Sequence, residues 1–212
     1  MASCAAAVAL LAGCNDTTVA TPAATPSAAT PSVSAPTTTV AAPATSAVPA
    51  AGHQGTGSGG GVDLTVTVPG STTIKLDGDA IAFDFTLTNP SATATSQAVG
   101  VVAAMGRCSC GPGGAKMSPQ GTMQLLDASS NTWKPVTFVR EGTGMDYLLE
   151  PVIPSTTLAP GQSTTYHMKV TLNQDPQVHY TAGTGAITVT LEVPGKSLKS
   201  LGSATVPITV QP

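Results

Sequence analysis

The chain has 212 residues and a formal net charge of −3, with eight Lys and Arg residues against eleven Asp and Glu. No run of Lys or Arg forms the basic stripe that nucleic-acid binding requires, so nucleic acid is not an expected partner. The chain is rich in Val, Thr, Ala and Gly and contains a single Trp, which favours strands joined by turns over helices.

The N-terminus carries a short apolar run, Ala5 to Ala12, which is far shorter than the ~20 residues of a membrane-spanning helix. Such a run fits the hydrophobic region of a secretory signal peptide. It leads into Leu11-Ala12-Gly13-Cys14, which resembles the lipobox of bacterial lipoproteins. The resemblance implies that residues 1–13 are a signal peptide and that the Cys14 thiol receives a diacylglycerol. Two acyl chains would anchor the protein stably at the extracytoplasmic face of the cell membrane.

The next segment, residues 14–61, has the composition of a stalk. Asp16 is its only Asp, Glu, Lys or Arg, and prolines recur every four to seven residues from Pro22 to Pro49. Such a tract buries too little apolar surface to offset the entropy of ordering it. We therefore expect a disordered stalk with a mean reach of roughly 40 Å. Within it, the sequence GTGSGGG at 55–61 is expected to be a flexible joint, and His53 a solvated linker residue.

After Gly61 the hydrophobic pattern alternates with a period of two, as in half-buried strands. The segments with this pattern are 62–68, 81–88, 98–105, 123–126, 133–139, 164–172, 186–193 and 205–210. Short strands separated by Gly, Pro, Asn and Asp turns predict an all-β fold, a single Ig-like antiparallel β-sandwich over residues 62–212. Pro207 predicts an edge position for the last strand, because proline cannot donate a hydrogen bond to a neighbouring strand.

Two turn patterns support this fold. One is LAPGQS at residues 158–163, followed directly by a strand, and the other is FTLTN at residues 85–89, where Asn89 closes a strand. Both resemble features of Ig-like surface modules from high-GC Gram-positive bacteria. Because the resemblance consists of turns and spacing, it implies a fold more than an activity.

The segment RCSCGPGG contains Cys108 and Cys110, the only cysteines after Cys14. Outside the cytoplasm such a pair is expected to form a disulfide, although a bridge across one residue closes a small ring that is easier to reduce. The alternatives are a soft-metal (copper) site and a redox-active thiol pair. Thiolates and thioethers select Cu(I), and methionines that could assist lie at Met105, Met117 and Met123, where they could equally fill the core.

The remaining candidate residues have simpler interpretations. His167 is predicted to face solvent on a strand, His179 to lie in a loop, and Asp77-Gly78-Asp79 to form a turn rather than a Ca²⁺ site. Trp133 is predicted to be a core residue, with an exposed platform for sugar as the alternative. No motif assembles a nucleophile with a base, so the chain is not expected to be an enzyme or to carry a cofactor.

These observations predict a lipid-anchored cell-surface protein. Its sandwich would be a non-catalytic module for envelope interaction or structure, with a cell-wall or surface-protein partner. The alternative functions are a soft-metal or thiol role at Cys108 and Cys110, and the binding of wall polymer or carbohydrate.

Overall fold

The computed structural model describes residues 52–137, 150–196 and 199–212. Cys14, the predicted signal peptide and most of the predicted stalk lie outside these residues. The described chain forms eleven strands in two packed sheets and contains no α-helix, which confirms the all-β sandwich. Its helical content is a single 3₁₀ turn at Pro112–Gly114.

Sheet A has six strands, which in spatial order are β1 (His53–Gly59), β2 (Val62–Val68), β4 (Ile81–Thr88), β9 (Ser163–Asn173), β6 (Gln120–Asp127) and β7 (Thr132–Pro135). Sheet B has five strands, in the order β3 (Thr73–Lys75), β11 (Ser200–Gln211), β10 (Gly183–Glu192), β5 (Val99–Met105) and β8 (Ile153–Thr156). Neighbouring strands are antiparallel except β3 and β11, which run parallel.

The core lies between the inner faces of the two sheets. Along β4 the alternate residues Ile81, Phe83, Phe85 and Leu87 are buried, and the same alternation buries one face of β2, β10 and β11. The ring of Phe85 stacks on Tyr166 with centroids 4.8 Å apart. Burial of each large apolar side chain stabilises the fold by about 1.5–3 kcal/mol. The period-two pattern of the sequence therefore identifies the faces that meet.

The predicted boundary between stalk and domain at residue 61 is wrong. Strand β1 begins at His53 and pairs with β2 over its whole length, from His53 opposite Val68 to Gly59 opposite Val62. The turn between them consists of Gly60 and Gly61, both with positive φ (61° and 74°). Two-residue hairpin turns of this kind favour Gly, because other side chains are strained in that conformation. The expected flexible joint is thus a β-hairpin.

The alternate glycines of β1 explain why this strand has the composition of a linker. Gly55, Gly57 and Gly59 lie on the inner face of sheet A, opposite the buried side chains of β2. A Cβ atom on each would collide with the backbone of β11, at Thr205, Ser203 and Leu201 respectively. Because these positions have no side chain, β1 and β11 approach each other directly where the two sheets meet.

The predicted edge position of the last strand is also wrong, since β11 lies between β3 and β10. The fold nevertheless accommodates Pro207. The amide of Thr209 donates to the carbonyl of Thr72, toward β3, and alternate amides of a strand point the same way. The nitrogen of Pro207 therefore faces the β3 side, where the pairing with β3 covers only Thr209 to Gln211.

Asn89 joins the two turn patterns found in the sequence. Its side chain is buried, and its amide lies within 3.1 Å of the carbonyl oxygens of Ala94, Leu158 and Ala159. Its Oδ1 accepts a hydrogen bond from the amide of Ser91. A buried amide with these partners fixes the end of β4 against the loop that precedes β9.

Candidate functional site

The cysteine loop follows β5 and packs against the start of β10. Cys108 and Cys110 are joined as a disulfide, with their Cα atoms 5.2 Å apart, and both are fully buried. The residue between them, Ser109, is partly exposed, and its backbone amide donates to the carbonyl of Thr184. The disulfide is therefore part of the core cluster, and only the loop around it faces solvent.

Hydrogen bonds hold this loop on both sides. Cys108 and Met117 exchange two backbone hydrogen bonds, each 2.8 Å, in an isolated antiparallel bridge. On the other side the amide of Thr181 donates to the carbonyl of Cys110, and its hydroxyl donates to the carbonyl of Gly111. These bonds fix the loop without using a titratable side chain.

Two of the three candidate methionines lie beside the cysteine loop. A Cβ atom on Gly111 would lie 2.6 Å from the Sδ atom of Met117. A Cβ atom on Gly185 would lie 2.8 Å from the Cε atom of Met105 and 3.2 Å from the Cβ atom of Cys108. The third methionine, Met123, lies on β6 in the other sheet, where it is buried.

A second candidate region is the outer face of sheet A, defined as the side chains that point away from sheet B. Thr56, Thr65, Thr86 and Thr165 form one row on this face, across β1, β2, β4 and β9. The hydroxyls of Thr86 and Thr165 lie 2.8 Å apart. The face thus presents hydroxyl groups in register across four strands.

The prediction that Trp133 belongs to the core is wrong. Trp133 lies on the edge strand β7, opposite Leu126, and is 37% exposed. The Nζ atom of Lys169, on the outer face of β9, lies 4.5 Å from the centroid of its ring. The register places the indole on the outer face, where no second sheet covers it.

A groove of about 380 Å³ lies beside this face, where β6 and β9 separate. The pairing of these strands ends at Leu125 opposite Met168. Beyond that point the groove is lined by apolar and polar side chains, among them Leu125, Leu126, Tyr166, His167 and Lys134. His167 is shared by the groove and the outer face, so the two are continuous.

The other predicted residues lie apart from one another. His167 faces solvent as expected, and its Nδ1 atom lies 2.8 Å from Oδ1 of Asp84 on β4. His179 lies in an exposed loop. Asp77 lies in a turn with φ of 55°, and its carboxylate accepts a hydrogen bond from the amide of Gln174. No group of three His, Cys, Asp or Glu side chains able to hold a metal occurs in the described part of the chain.

Two titratable groups have perturbed pKa values. The hydrogen bond from Lys134, assisted by hydrogen bonds from Ser129, holds the pKa of Asp127 well below its ordinary value. Burial raises the pKa of the Tyr180 phenol, and the negative charge of Asp175 adds to the increase. Both pKa shifts follow from these local hydrogen bonds, burial and charge.

Sequence reasoning missed Asp84, Lys169 and Tyr166 as neighbours of the candidate residues. Each is brought into place by cross-strand register, which the sequence does not encode in a motif.

Within the described residues, no helix is long and apolar enough to cross a bilayer.

No protein-family model matches the chain, and no curated protein matches it. Among solved structures, AvmM, which catalyses macrocyclization in alchivemycin A biosynthesis, is 10% identical with a TM-score of 0.43 over 72% of this chain and 90% of its own. The alkylpurine DNA glycosylase AlkC of Pseudomonas fluorescens is 13% identical, with a TM-score of 0.34. The match covers 73% of this chain but only about a third (32%) of the glycosylase. A PapD-like domain of human CEP192 is 12% identical with a TM-score of 0.27, over 72% of this chain and 85% of its own. Likenesses this low carry no argument about function.

Proposed function

We propose that the protein is a lipid-anchored envelope protein whose β-sandwich is a non-catalytic interaction module. The anchor is Cys14, in the Leu-Ala-Gly-Cys motif that resembles a lipobox. The observation that supports an interaction role is the outer face of sheet A, which carries a row of hydroxyl groups and the exposed Trp133. Because β1 begins at His53, the tract between the anchor and the domain is nine residues shorter than the sequence pattern suggested.

The anchor is tested by detergent phase partitioning of cells that express the wild-type chain, Cys14→Ala or Cys4→Ala. We expect the wild-type and Cys4→Ala chains in the detergent phase, because two acyl chains hold a protein firmly in a bilayer. The Cys14→Ala chain should move to the aqueous phase or the medium. Detergent partitioning of Cys14→Ala equal to that of wild type would refute the anchor.

The exposed position of Trp133 favours one second candidate function, contact with a wall polymer or carbohydrate. An indole on an open face offers a flat apolar surface against which a sugar ring packs, and the neighbouring hydroxyls, Lys169 and His167 offer hydrogen bonds. Aromatic side chains with a polar rim are typical of binding surfaces.

This candidate is tested with purified cell walls and a panel of polysaccharides. Since Trp133 is the only tryptophan, its fluorescence reports directly on ligands that reach the outer face. We expect a change in its emission and a loss of wall binding in Trp133→Ala. The matched control is Thr132→Ala, the preceding residue on β7, whose side chain points to the opposite face. Unchanged emission across the panel would count against polymer contact and leave the anchored module intact.

A further inference from the structure

A cluster of four sulfur-containing side chains, those of Cys108, Cys110, Met105 and Met117, lies at the cysteine loop, and the proposed interaction role does not use it. Cys108 and Cys110 are two residues apart across a bend at Ser109, and their disulfide bond shows that both sulfur atoms lie on the same side of the loop. Met117 is paired with Cys108 through the backbone, and its Sδ atom lies beside Gly111, the neighbour of Cys110. Two sulfur atoms therefore come from the cysteines, and a third comes from the segment that pairs with Cys108.

The fourth sulfur comes from Met105 at the end of β5. Its Cε atom and the Cβ atom of Cys108 both lie within 3.2 Å of the Cβ position that Gly185 leaves empty, so the two side chains are neighbours there. Met105 is buried, while Met117 is only partly buried. The cluster thus has a closed side at Met105 and a side open to solvent at Met117.

We infer that the reduced form of this loop binds one Cu(I) ion through the thiolates of Cys108 and Cys110, with Met105 and Met117 as thioether ligands. Thiolate and thioether sulfurs are the ligands that Cu(I) selects over harder donors. Two thiolates and one Cu(I) leave a single negative charge. The exposed cations Arg107 and Lys116 lie next to Cys108 and Met117 in the chain, and one of them is enough to balance it.

The site requires an external reductant, which we assign to the dithiol class. The dithiol gives two electrons and two protons to the Cys108–Cys110 disulfide, which becomes two thiols, and the reductant becomes a disulfide. Cu(I) then replaces the thiol protons, which pass to solvent, and its oxidation state does not change. Metal binding to cysteine depends on this loss of protons.

The inference is tested on the full chain carrying Cys4→Ala and Cys14→Ala, which removes its only other thiols. The protein is reduced with dithiothreitol, desalted without oxygen, and titrated with Cu(I) against a chromophoric chelator. We expect one Cu(I) per reduced chain, none per oxidised chain, and only sulfur neighbours in X-ray absorption. Cys108→Ser and Cys110→Ser should each abolish binding.

The role of the thioethers is tested by Met105→Leu and Met117→Leu, which conserve volume and so keep the core packed. Each should weaken the affinity for Cu(I) at least about tenfold, an effect equal to ~1.4 kcal/mol. The matched controls are Met123→Leu and Met168→Leu, which alter buried methionines of sheet A. Their affinity should equal that of the parent.

Two results would overturn the inference. One is a reduced, folded parent chain that leaves all Cu(I) with the chelator. The other is an equal affinity in the Met105, Met117 and Met123 variants. Should a variant unfold, the rise in the Tm of the reduced parent on addition of Cu(I) decides the question, because a ligand that binds only the folded state raises Tm. Absence of that rise also contradicts the site.

Discussion

At the two edges of sheet A, packing and exposure are the opposite of what the amino-acid composition predicts. At one edge, β1 has the sequence HQGTGSG of a flexible linker, yet its backbone packs closely against β11. At the other edge, β7 carries the only tryptophan, yet all four of its residues are exposed. Whether a residue is buried at these edges depends on which elements lie opposite it, and apolar character alone does not determine that.

The difference has a simple physical origin. At β1 the two sheets converge, so little space remains and glycine is the residue that fits. At β7 the cross-strand register turns the large side chain of Trp133 to the outer face, where it meets no opposing sheet and lies beside Lys169. Polarity alone therefore predicts that β1 lies outside the folded domain and that Trp133 of β7 lies in its core, and both predictions are wrong.

The largest expected effect comes from Gly57→Val, which places a side chain where β11 passes. The new Cβ would collide with the backbone of Ser203. Overpacking of this kind costs about 3 kcal/mol, which for a domain of this size lowers Tm by roughly 6–12 °C. Thermal unfolding followed by circular dichroism measures the shift. The control, Ser58→Val, points to the outer face of the same strand and should alter stability by less than about 0.5 kcal/mol. Equal Tm values in the two variants would show that β1 is not packed on β11.

A smaller effect is expected at the turn of the same hairpin. Gly61 has φ of 74° and no atom within 4 Å of its Cβ position, so Gly61→Ala tests backbone conformation without a clash. The left-handed conformation costs a non-glycine residue about 1–2 kcal/mol. The control is Gly70→Ala, where the space is equally open and φ is not positive. Chemical denaturation should show a loss of stability for Gly61→Ala and none for Gly70→Ala. A loss shared by both would indicate that glycine flexibility in general, and not this turn, is what matters.

At the opposite edge, Trp133→Ala should cost little. Removing a buried tryptophan costs about 3–5 kcal/mol, whereas an exposed contact with a cation contributes about 0.5–1 kcal/mol. We therefore expect a Tm within about 4 °C of wild type, since 1 kcal/mol corresponds to roughly 2–4 °C at this size. A decrease in Tm as large as that of Gly57→Val would indicate that Trp133 is a core residue, and the contrast between the two edges would not hold.

Much of the fold is predictable from the sequence for reasons visible in particular residues. The alternation from Val62 to Val68 and from Ile81 to Thr88 predicts two strands with the bounds the structure shows. Asn89 and the LAPGQS pattern each indicate a turn, and in the structure hydrogen bonds join them. These features are local, so the sequence alone contains them.

The missed features depend on long-range contacts. The glycines of β1 become informative only once Ser203 and Thr205 are known to lie opposite them. The short strands β3 and β8 offer too few residues for a period to show. The approach of Met117 to the cysteine loop follows from a single isolated bridge. Each of these features depends on the pairing of segments that are distant in the chain, and a single sequence does not show such pairing.

The smallest effect is expected at the ion pair of Asp127 and Lys134, which links β6 to β7 at the exposed edge. The pKa of the Asp127 carboxyl lies well below its ordinary value of 3.8, chiefly because Lys134 donates a hydrogen bond to it. A carboxyl with a lowered pKa stabilises the fold above its ordinary pKa, and this contribution is lost as the pH falls through the lower value. Because the pair is exposed, Lys134→Met should change Tm at neutral pH less than any change above.

The sensitive measurement of this pair is therefore the titration of the Asp127 carboxyl by NMR. Lys134→Met should raise its pKa toward 3.8, and only partly, because both hydrogen bonds from Ser129 remain. Lys169→Met, which alters another lysine beside Trp133, should leave it unchanged. If Lys134→Met does not move the titration, β7 is not held to β6 by this ion pair. The exposed edge would then depend on its backbone ladder, from Gln124 opposite Pro135 to Asp127 opposite Thr132, and on the contact of Trp133 with Lys169.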